Sequence, residues 1–357
     1  MDYQTELLGE NLIFLISQPR SGSTLLQRIL GGHPAIHTLP EPWLMLHSLY
    51  ALRSEGYEAE YDASLAMRAR LDFIQALPDG EEDYLHGIRQ MFVYLYQKAL
   101  TGLNKRYFLD KTPRYYFILP ELMRTFPQAH YIVLLRNPIA VLNSLLNRWT
   151  LFLLNLYKHD LLRAPCLLLQ GIELLDDRCI VIHYERLVAN PESELQRLCE
   201  WLDVDFKPEI VEYGRLETRQ GQFGDQEGVP QYTHPVTENR EKWIQALHYP
   251  QRWRLADEYL QWLGPETISR MGYSYNELQQ TVARHQPHCL RLWSTFSLSR
   301  LLDTPVHENS KWRYRLARLT RSIRRRGLRD TVVEGLQLLV ARYRSTNISP
   351  SSPRKGP

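Results

Sequence analysis

The sequence is poor in cysteine, and its cysteines lack the spacing that metal sites need. Among 357 residues there are only four, at Cys166, Cys179, Cys199 and Cys289, and no two of them form a CxxC pair. Structural zinc sites and disulfide frameworks need closely spaced or numerous cysteines. We therefore exclude both kinds of site and expect reduced thiols, as in proteins that work inside cells.

The sequence also lacks long hydrophobic runs. No apolar stretch approaches the roughly 18 residues that a membrane-spanning helix requires. The first residues, MDYQTELLGEN, are acidic and lead directly into an apolar strand, so they do not have the pattern of a signal peptide. A net charge of +3 and a hydrophobic content of 44% are typical of a folded domain, and we expect a soluble, cytoplasmic protein.

One stretch near the N-terminus has the pattern of a phosphate-binding loop. Residues 11–17 are dense in apolar side chains and predict a buried strand, whereas residues 25–30 are apolar at helical spacing. The turn between them, PRSGST at residues 19–24, is named the phosphate loop. It combines a glycine, hydroxyl groups and a helix N-terminus, all of which favour an anion. The predicted anion-binding residues are Pro19, Arg20, Ser21, Gly22, Ser23 and Thr24.

The lysine of an ordinary nucleotide-binding loop is missing from this turn. A Walker A loop carries Lys and then Ser or Thr directly after its last glycine, but Ser23 follows Gly22 here. Arg20 instead offers a planar fork of N–H donors to phosphate or sulfate oxygens, which lessens the need for a metal ion. The sequence therefore predicts an anion site without a metal.

A second motif predicts a second anion contact. In YIVLLRNPIAVLNSLLNRW an apolar strand over residues 131–135 ends in Arg136, and Asn137 and Pro138 then open a helix. Ser144 lies eight residues after Arg136, about two helical turns, so it falls on the side of the helix that faces the strand end. A Walker-type ATPase would end such a strand in Asp for magnesium. We expect Arg136 and Ser144 to hold one phosphate group.

These elements predict an α/β fold with a P-loop-like parallel sheet of about four or five strands flanked by helices. We place the main domain at residues 1–285, with a helical insert at about 44–104 whose aromatic residues are mostly core. A basic helical extension at 286–345 and a disordered tail at 346–357 follow.

The two motifs resemble the nucleotide-binding signatures of sulfotransferases that use 3′-phosphoadenosine 5′-phosphosulfate (PAPS), and the spacing is most similar to the tyrosylprotein branch and related bacterial enzymes. In that branch a catalytic Glu lies twenty-one residues after the loop Arg, beyond a His-Pro pair. Here Glu41 follows Arg20 by twenty-one residues, after His33 and Pro34. Lys111, in YFLDKTP, matches the Lys of the branch's Asp/Lys/Pro segment.

The resemblance covers roughly residues 10–275 and implies further contacts to the cofactor. CIVIHYERLVANP is similar to the family's YExLV segment, which puts Tyr184 at the position that packs on the adenine. Residues 221–240 resemble a loop that closes over the cofactor, so that Arg240 or Lys242 would contact the 3′-phosphate. The RKG triplet of the cytosolic enzymes is absent, and a solvated surface turn is the alternative.

Elementary chemistry supports the roles that the resemblance implies. Sulfuryl transfer moves a charged group in line between oxygens, so catalysis is mostly positioning and neutralisation of charge. Arg20 would neutralise the phosphosulfate, Lys111 would donate to the leaving oxygen, and Glu41 would take the acceptor's proton. Pro113 stands where cytosolic small-molecule enzymes have their catalytic His, which favours Glu41 as the base. A helix N-terminal acid is the other interpretation of Glu41, and His37 is the next candidate base.

Positive charge is segregated near the C-terminal end. Residues 311–329 contain nine Lys and Arg and no acid, with apolar residues along one helical face. Three interpretations remain open: an anionic membrane surface bound peripherally, an acidic carrier or peptide partner, and docking on the main domain. We do not expect nucleic acid as a partner, because no recognised reading module is present.

The sequence therefore predicts an enzyme that transfers a sulfuryl group from PAPS to an acceptor hydroxyl without a metal. The alternatives are a P-loop-type kinase or NTPase and a non-catalytic nucleotide- or glycan-binding module. The missing Walker lysine and metal aspartate disfavour the first, and Glu41 and Lys111 disfavour the second. The sequence does not distinguish among sugars, lipids, phenols, peptide tyrosines and carrier-bound alcohols as the acceptor.

Overall fold

A parallel β-sheet forms the centre of the protein. The computed structural model describes residues 8–39, 41–50, 52–53, 63–148, 157–212, 240–287 and 298. Within them, the sheet has five strands in the order β2-β3-β1-β4-β5, and all neighbouring strands are parallel. The strands are β1 (Leu12–Ser17), β2 (Ile36–Thr38), β3 (Tyr107–Lys111), β4 (His130–Leu135) and β5 (Cys179–His183).

The central strands are mostly apolar because both faces of the sheet are covered. All six residues of β1 are buried. Phe14 points into a core cluster on one face, and Ile13 and Leu15 point into a second cluster on the other. Successive side chains of a strand alternate between faces, so a strand that is covered on both sides needs an unbroken apolar run.

Helices cover both faces of this sheet. Their bounds are α1 (Ser23–Gly31), α2 (Leu44–Tyr50), α3 (Ala63–Gln75), α4 (Glu81–Leu100), α5 (Leu119–Thr125), α6 (Pro138–Arg148), α7 (Lys158–Leu162), α8 (Ala164–Leu175), α9 (Tyr184–Ala189), α10 (Pro191–Trp201), α11 (Lys242–Ala246), α12 (Pro250–Arg270) and α13 (Tyr275–Arg284). Short 3₁₀ helices span Pro113–Ile118, Asp176–Arg178 and Pro208–Val211.

Apart from α3, the described helices divide into three groups by the core that they bury. Helices α1, α9 and α10 pack on the face that contains Ile13. Helices α2, α4, α5 and α8 pack on the face that contains Phe14. Helices α6, α7, α11, α12 and α13 share a third cluster beside the sheet.

The predicted fold class is confirmed, because the sheet is parallel, five-stranded and flanked by helices. The region at about 44–104 is helical as expected, through α2, α3 and α4. Of its aromatic residues Phe92 and Tyr96 are core, whereas Tyr94 is exposed. The domain boundaries stay a prediction, and residues 299–357 lie outside the described residues.

None of the helices in the described part of the chain combines the length and hydrophobicity of a membrane-spanning segment.

Candidate active site

The predicted site residues follow the carboxyl ends of the five strands. Arg20 comes after β1, Glu41 after β2 and Arg136 after β4. Lys111 is the last residue of β3, and Tyr184 directly follows β5. Because all five strands are parallel, these residues meet at one edge of the sheet, where open α/β sheets bind ligands. Their order across that edge is Glu41, Lys111, Arg20, Arg136 and Tyr184.

The loop after β1 has a backbone that only glycine fits at one position. Gly22 has a φ of +100°, in the left-handed region, and a Cβ atom there would lie 2.4 Å from Cδ2 of Tyr184. Arg20 is also left-handed, with a φ of 75°, which is uncommon for a residue other than glycine. Such conformations persist where surrounding structure enforces them, and they cluster at functional sites.

This loop presents hydrogen-bond donors to an anion. Helix α1 has neither a side-chain cap nor an acidic residue in its first turn, so its first N–H groups and its positive dipole end are available to a ligand. Ser21 is 1% exposed, and its Oγ meets no hydrogen-bond partner among the described residues. A buried hydroxyl without a partner is costly, and an oxygen of a bound phosphate or sulfate would satisfy it.

Arg20 and Ser144 meet across the site. The Nε of Arg20 donates to the Oγ of Ser144 over 3.2 Å. One N–H of Arg136 donates to the carbonyl oxygen of Arg20 over 3.0 Å, so the second motif braces the first. Ser144 thus reaches the loop from α6, and its role with Arg136 in holding a phosphate stays a prediction.

The ring of Tyr184 supports the loop. The guanidinium carbon of Arg136 lies 4.1 Å from the centre of the Tyr184 ring, and the ring edge faces Gly22. Tyr184 is only 6% exposed. The expected stacking on adenine stays a prediction. In the structure the ring contacts Gly22 and Arg136 and packs in the same cluster as Ile13.

Lys111 is paired with Glu41. The Lys111 ammonium forms an ion pair with the Oε1 of Glu41, and it lies 3.5 Å from the Oγ1 of Thr24 on the phosphate loop. The Lys111 side chain is 0% exposed and that of Glu41 is 15% exposed. A fully buried ammonium needs such a partner, because leaving water is expensive for a charge. The pair joins the phosphate loop to the segment after β2.

Glu41 does not serve as a helix N-terminal acid. Helix α2 begins at Leu44 and has no acidic residue in its first turn. The Oε2 of Glu41 instead accepts a hydrogen bond of 3.1 Å from the indole N–H of Trp43. His37, the alternative base, lies on β2 with its ring edge-on to Phe108, at 5.8 Å between ring centres.

Next to Lys111 lies a buried network around Asp110, whose tyrosine members sequence reasoning missed. Asp110 accepts hydrogen bonds from the hydroxyls of Tyr96 (2.7 Å), Thr112 (2.8 Å) and Tyr115 (2.8 Å). Burial raises the pKa of Asp110 to about 6, although the hydroxyl donors oppose this. The pattern DKTP places Asp110 and Thr112 two positions apart. No local pattern indicates that Tyr96 donates to the same carboxylate.

A second missed cluster surrounds Asp160. Arg114 holds its carboxylate through two N–H groups, at 3.0 and 2.6 Å, and the hydroxyl of Tyr116 donates to the same carboxylate. The backbone carbonyl of Asp160 accepts a 2.8 Å hydrogen bond from the side chain of Gln18, at the start of the phosphate loop. No sequence motif marks this link between residues 142 positions apart.

One of the two predicted lid contacts, Lys242, lies on a helix that packs beside α6. Lys242 begins α11, which packs Trp243 into the same cluster as α6. The side chains of Arg240 and Lys242 are exposed, and residues 213–239 of the expected lid lie outside the described residues. The structure adds Arg252 of α12, which donates to the side chains of Asn143 and Asn147, on either side of Ser144.

Comparison with known proteins agrees with this arrangement. A family model described as "Sulfotransferase family" matches residues 12–208. Nodulation protein NoeE of Sinorhizobium fredii is 33% identical over 245 residues, covering 60% of this chain and 55% of NoeE. Protein-tyrosine sulfotransferase A of Caenorhabditis elegans is 26% identical over 211 residues, covering 57% of this chain and 53% of that protein. The chain spans about half the length of these curated relatives.

Among solved structures, the sulfotransferase domain from the curacin biosynthetic pathway aligns with a TM-score of 0.45 and 23% identity, covering 65% of this chain and 89% of that domain.

Proposed function

The chain belongs to the sulfotransferase family, and we propose that it is an enzyme that transfers the sulfuryl group of PAPS to a hydroxyl group of an acceptor. The observation that carries this proposal is the row of side chains at the strand ends. An acid–base pair, Glu41 and Lys111, lies at one end of the row, and the cationic residues Arg20 and Arg136 lie next to it.

The phosphate loop and α6 would bind the two anionic ends of the nucleotide. The donors of residues 19–24 suit the 5′-phosphosulfate, and the unsatisfied Oγ of Ser21 favours an oxygen-rich ligand there. Arg136 and Ser144 suit the 3′-phosphate, with Tyr184 towards the adenine. Arg240 or Lys242 would add a further charge from the lid. Two anion sites side by side match a nucleotide that carries two separate anionic groups.

The reaction would use Glu41 as base and Lys111 as the donor to the leaving group. As the acceptor oxygen bonds to sulfur, Glu41 takes its proton, and the bond from sulfur to the bridging phosphate oxygen breaks. Lys111 then donates a hydrogen bond to that oxygen as the oxygen gains negative charge, and the leaving group is 3′-phosphoadenosine 5′-phosphate (PAP). Its contact with Thr24 favours this role, because it directs the ammonium towards the phosphate loop.

The acceptor is a molecule with a free hydroxyl group. Relatives of this chain include protein-tyrosine sulfotransferases, so the panel of acceptors to be tested includes tyrosine peptides. The basic segment 311–329 would bind an anionic membrane surface or an acidic partner. Sedimentation with anionic vesicles at low and high salt tests the membrane interpretation, and absence of binding at low salt would remove it.

A transfer assay tests the proposed function. The full chain is incubated with labelled PAPS and a panel of hydroxyl acceptors or a cell extract, and the labelled product is identified. ATP with magnesium serves as the parallel donor, because a kinase or NTPase of the P-loop type would use it and a sulfotransferase would not. Transfer of label from PAPS without added metal is the expected result. Transfer from ATP alone, or binding of PAPS without turnover, would contradict the proposal.

A further inference from the structure

Resting on the proposed function, we propose that Trp43 is a positioning residue that fixes the carboxylate of Glu41 for proton transfer. The two oxygens of this carboxylate have different partners. The Oε1 atom is paired with Lys111, and the Oε2 atom accepts the indole N–H of Trp43 over 3.1 Å. A carboxylate held at both oxygens cannot rotate freely about its final torsion.

The backbone of Trp43 is held in an unusual conformation. Its φ of 55° lies in the left-handed region, which a bulky residue rarely adopts. The backbone N–H of Trp43 donates to the Oγ1 of Thr112 over 3.3 Å, and Thr112 in turn donates to the buried carboxylate of Asp110 over 2.8 Å. A strained conformation persists only where its surroundings over-determine it, and this chain of hydrogen bonds from β3 does so.

The indole ring of Trp43 is also fixed from the side. The guanidinium carbon of Arg114 lies 5.6 Å from the centre of the ring, at cation–π distance. Arg114 cannot swing away easily, because Asp160 holds it through two hydrogen bonds. Backbone and side chain of Trp43 are therefore anchored to different elements, which leaves its N–H aimed at Glu41.

The different partners assign separate tasks to the two carboxylate oxygens. When Lys111 turns to the leaving oxygen, Oε1 loses its partner while Oε2 keeps the indole N–H. Oε1 is then the atom that takes the acceptor's proton, as the new O–S bond forms and the S–O bond to PAP breaks. A base with fixed orientation keeps the acceptor in line with the transferred group, and small misplacements of this kind are costly.

The test is Trp43→Phe, which keeps a ring against Arg114 and removes the N–H donor. We expect kcat to fall by about tenfold to a hundredfold, the usual loss when a charged group loses one hydrogen bond. The KM for PAPS and the affinity for PAP should stay near wild type. Trp253→Phe is the matched control, because it also removes an indole hydrogen bond, of 2.7 Å to the carbonyl of Val282, and this bond involves none of the proposed site residues. Unchanged kcat in Trp43→Phe would overturn the proposal.

A double-mutant cycle separates a positioning role from general loss of structure. If Trp43 acts through Glu41, Trp43→Phe should cause no further loss of kcat in a Glu41→Gln background. An additional loss as large as in the wild type would overturn the proposal. If Trp43→Phe does not fold, Thr112→Val provides the test, since it removes the acceptor of the Trp43 amide; kcat should again fall with PAP affinity unchanged, and an unchanged kcat would contradict the inference.

The same cycle distinguishes this inference from the proposed function. Wild-type turnover in Glu41→Gln would mean that the base is another residue, and both statements would be wrong. Loss of turnover in Glu41→Gln together with normal turnover in Trp43→Phe would leave the base in place and refute only the role of Trp43.

Discussion

The ion pair between Lys111 and Glu41 should respond asymmetrically to the loss of either partner. The Lys111 side chain is 0% exposed, whereas Glu41 is 15% exposed and keeps the Trp43 donor. Glu41→Gln leaves a fully buried ammonium without its counter-charge, and breaking a buried pair in this way costs about 3–5 kcal/mol. Lys111→Met removes the buried charge, and the remaining carboxylate reaches water, so we expect a loss of about 1–3 kcal/mol.

The double variant Glu41→Gln, Lys111→Met gives the decisive comparison. Replacing both charges of a buried pair is often neutral or stabilising, so the double variant should be about 2–4 kcal/mol more stable than Glu41→Gln alone. Urea denaturation at pH 7 measures the free energy of unfolding of all four proteins. All three variants should lose turnover by ~10²-fold or more, because each removes an acid–base group. PAP affinity should remain near wild type in Glu41→Gln.

Two results would refute this reasoning. A double variant less stable than Glu41→Gln would mean that the pair contributes more than the burial of its charges costs. Equal destabilisation by the two single variants would mean that the difference in exposure between Lys111 and Glu41 has no energetic consequence.

Three further predictions concern the nucleotide site and the core beneath it. PAP should bind about tenfold to a hundredfold more tightly than AMP, because Arg136 and Ser144 add a charge-assisted contact, and calorimetry with Arg136→Ala should abolish the difference. Gly22→Ala should destabilise the loop by about 2–6 kcal/mol and weaken PAP binding, since its Cβ would lie 2.4 Å from Tyr184 at a φ of +100°; wild-type binding would contradict this. Burial raises the pKa of Asp110 from 3.8 to about 6, so the folded state holds this proton more tightly than the unfolded state. The contribution of this proton to the free energy of unfolding is present below about pH 4 and is lost as pH rises to about 6. Denaturation curves should therefore show that the advantage of wild type over Asp110→Asn shrinks over that range. A difference in stability that does not depend on pH would contradict this.

Local patterns were enough to predict the sheet and the loops that follow its strands. A buried parallel strand needs an unbroken apolar run, and the turn after it carries its functional residues within a few positions, as Arg20 after β1 and Arg136 after β4 do. Ser144 could be placed because helical periodicity alone relates it to Arg136. In the structure Ser144 lies 3.2 Å from the Nε of Arg20, and the phosphate contact that Arg136 and Ser144 would share stays a prediction.

Tertiary packing supplied what the sequence could not. Tyr96 reaches Asp110 from α4, and Arg114 reaches Asp160 across 46 positions, and neither pairing has a local signal. The left-handed backbone of Trp43 was equally hidden, because glycine and asparagine are the residues that mark such conformations. Tyr184 shows another limit of prediction from sequence. Its place after a strand could be predicted, but its contact with Arg136 depends on how the loop after β1 packs against it.

The order of strands separates nucleotide binding from proton transfer. The loops that would hold the nucleotide follow β1 and β4, which each have a neighbouring strand on both sides. The proposed base, Glu41, follows β2, a three-residue strand at the edge of the sheet, which among the described strands pairs with β3 alone. A three-residue edge strand offers few backbone hydrogen bonds to its neighbour, so the position of the loop after it depends on contacts from other elements.

Side chains from neighbouring elements compensate for this weak edge. Gln27 of α1 donates to the Oγ1 of Thr38 and to the carbonyl of Leu39, at 2.9 and 2.7 Å, and Tyr115 accepts from the backbone N–H of Met45 at 3.1 Å. These anchors lie on both sides of Glu41 in the sequence. Loss of one of them would misplace the base while the phosphate loop stays intact. Substitutions around β2 should therefore lower turnover without lowering nucleotide affinity, whereas substitutions after β1 and β4 should lower nucleotide affinity.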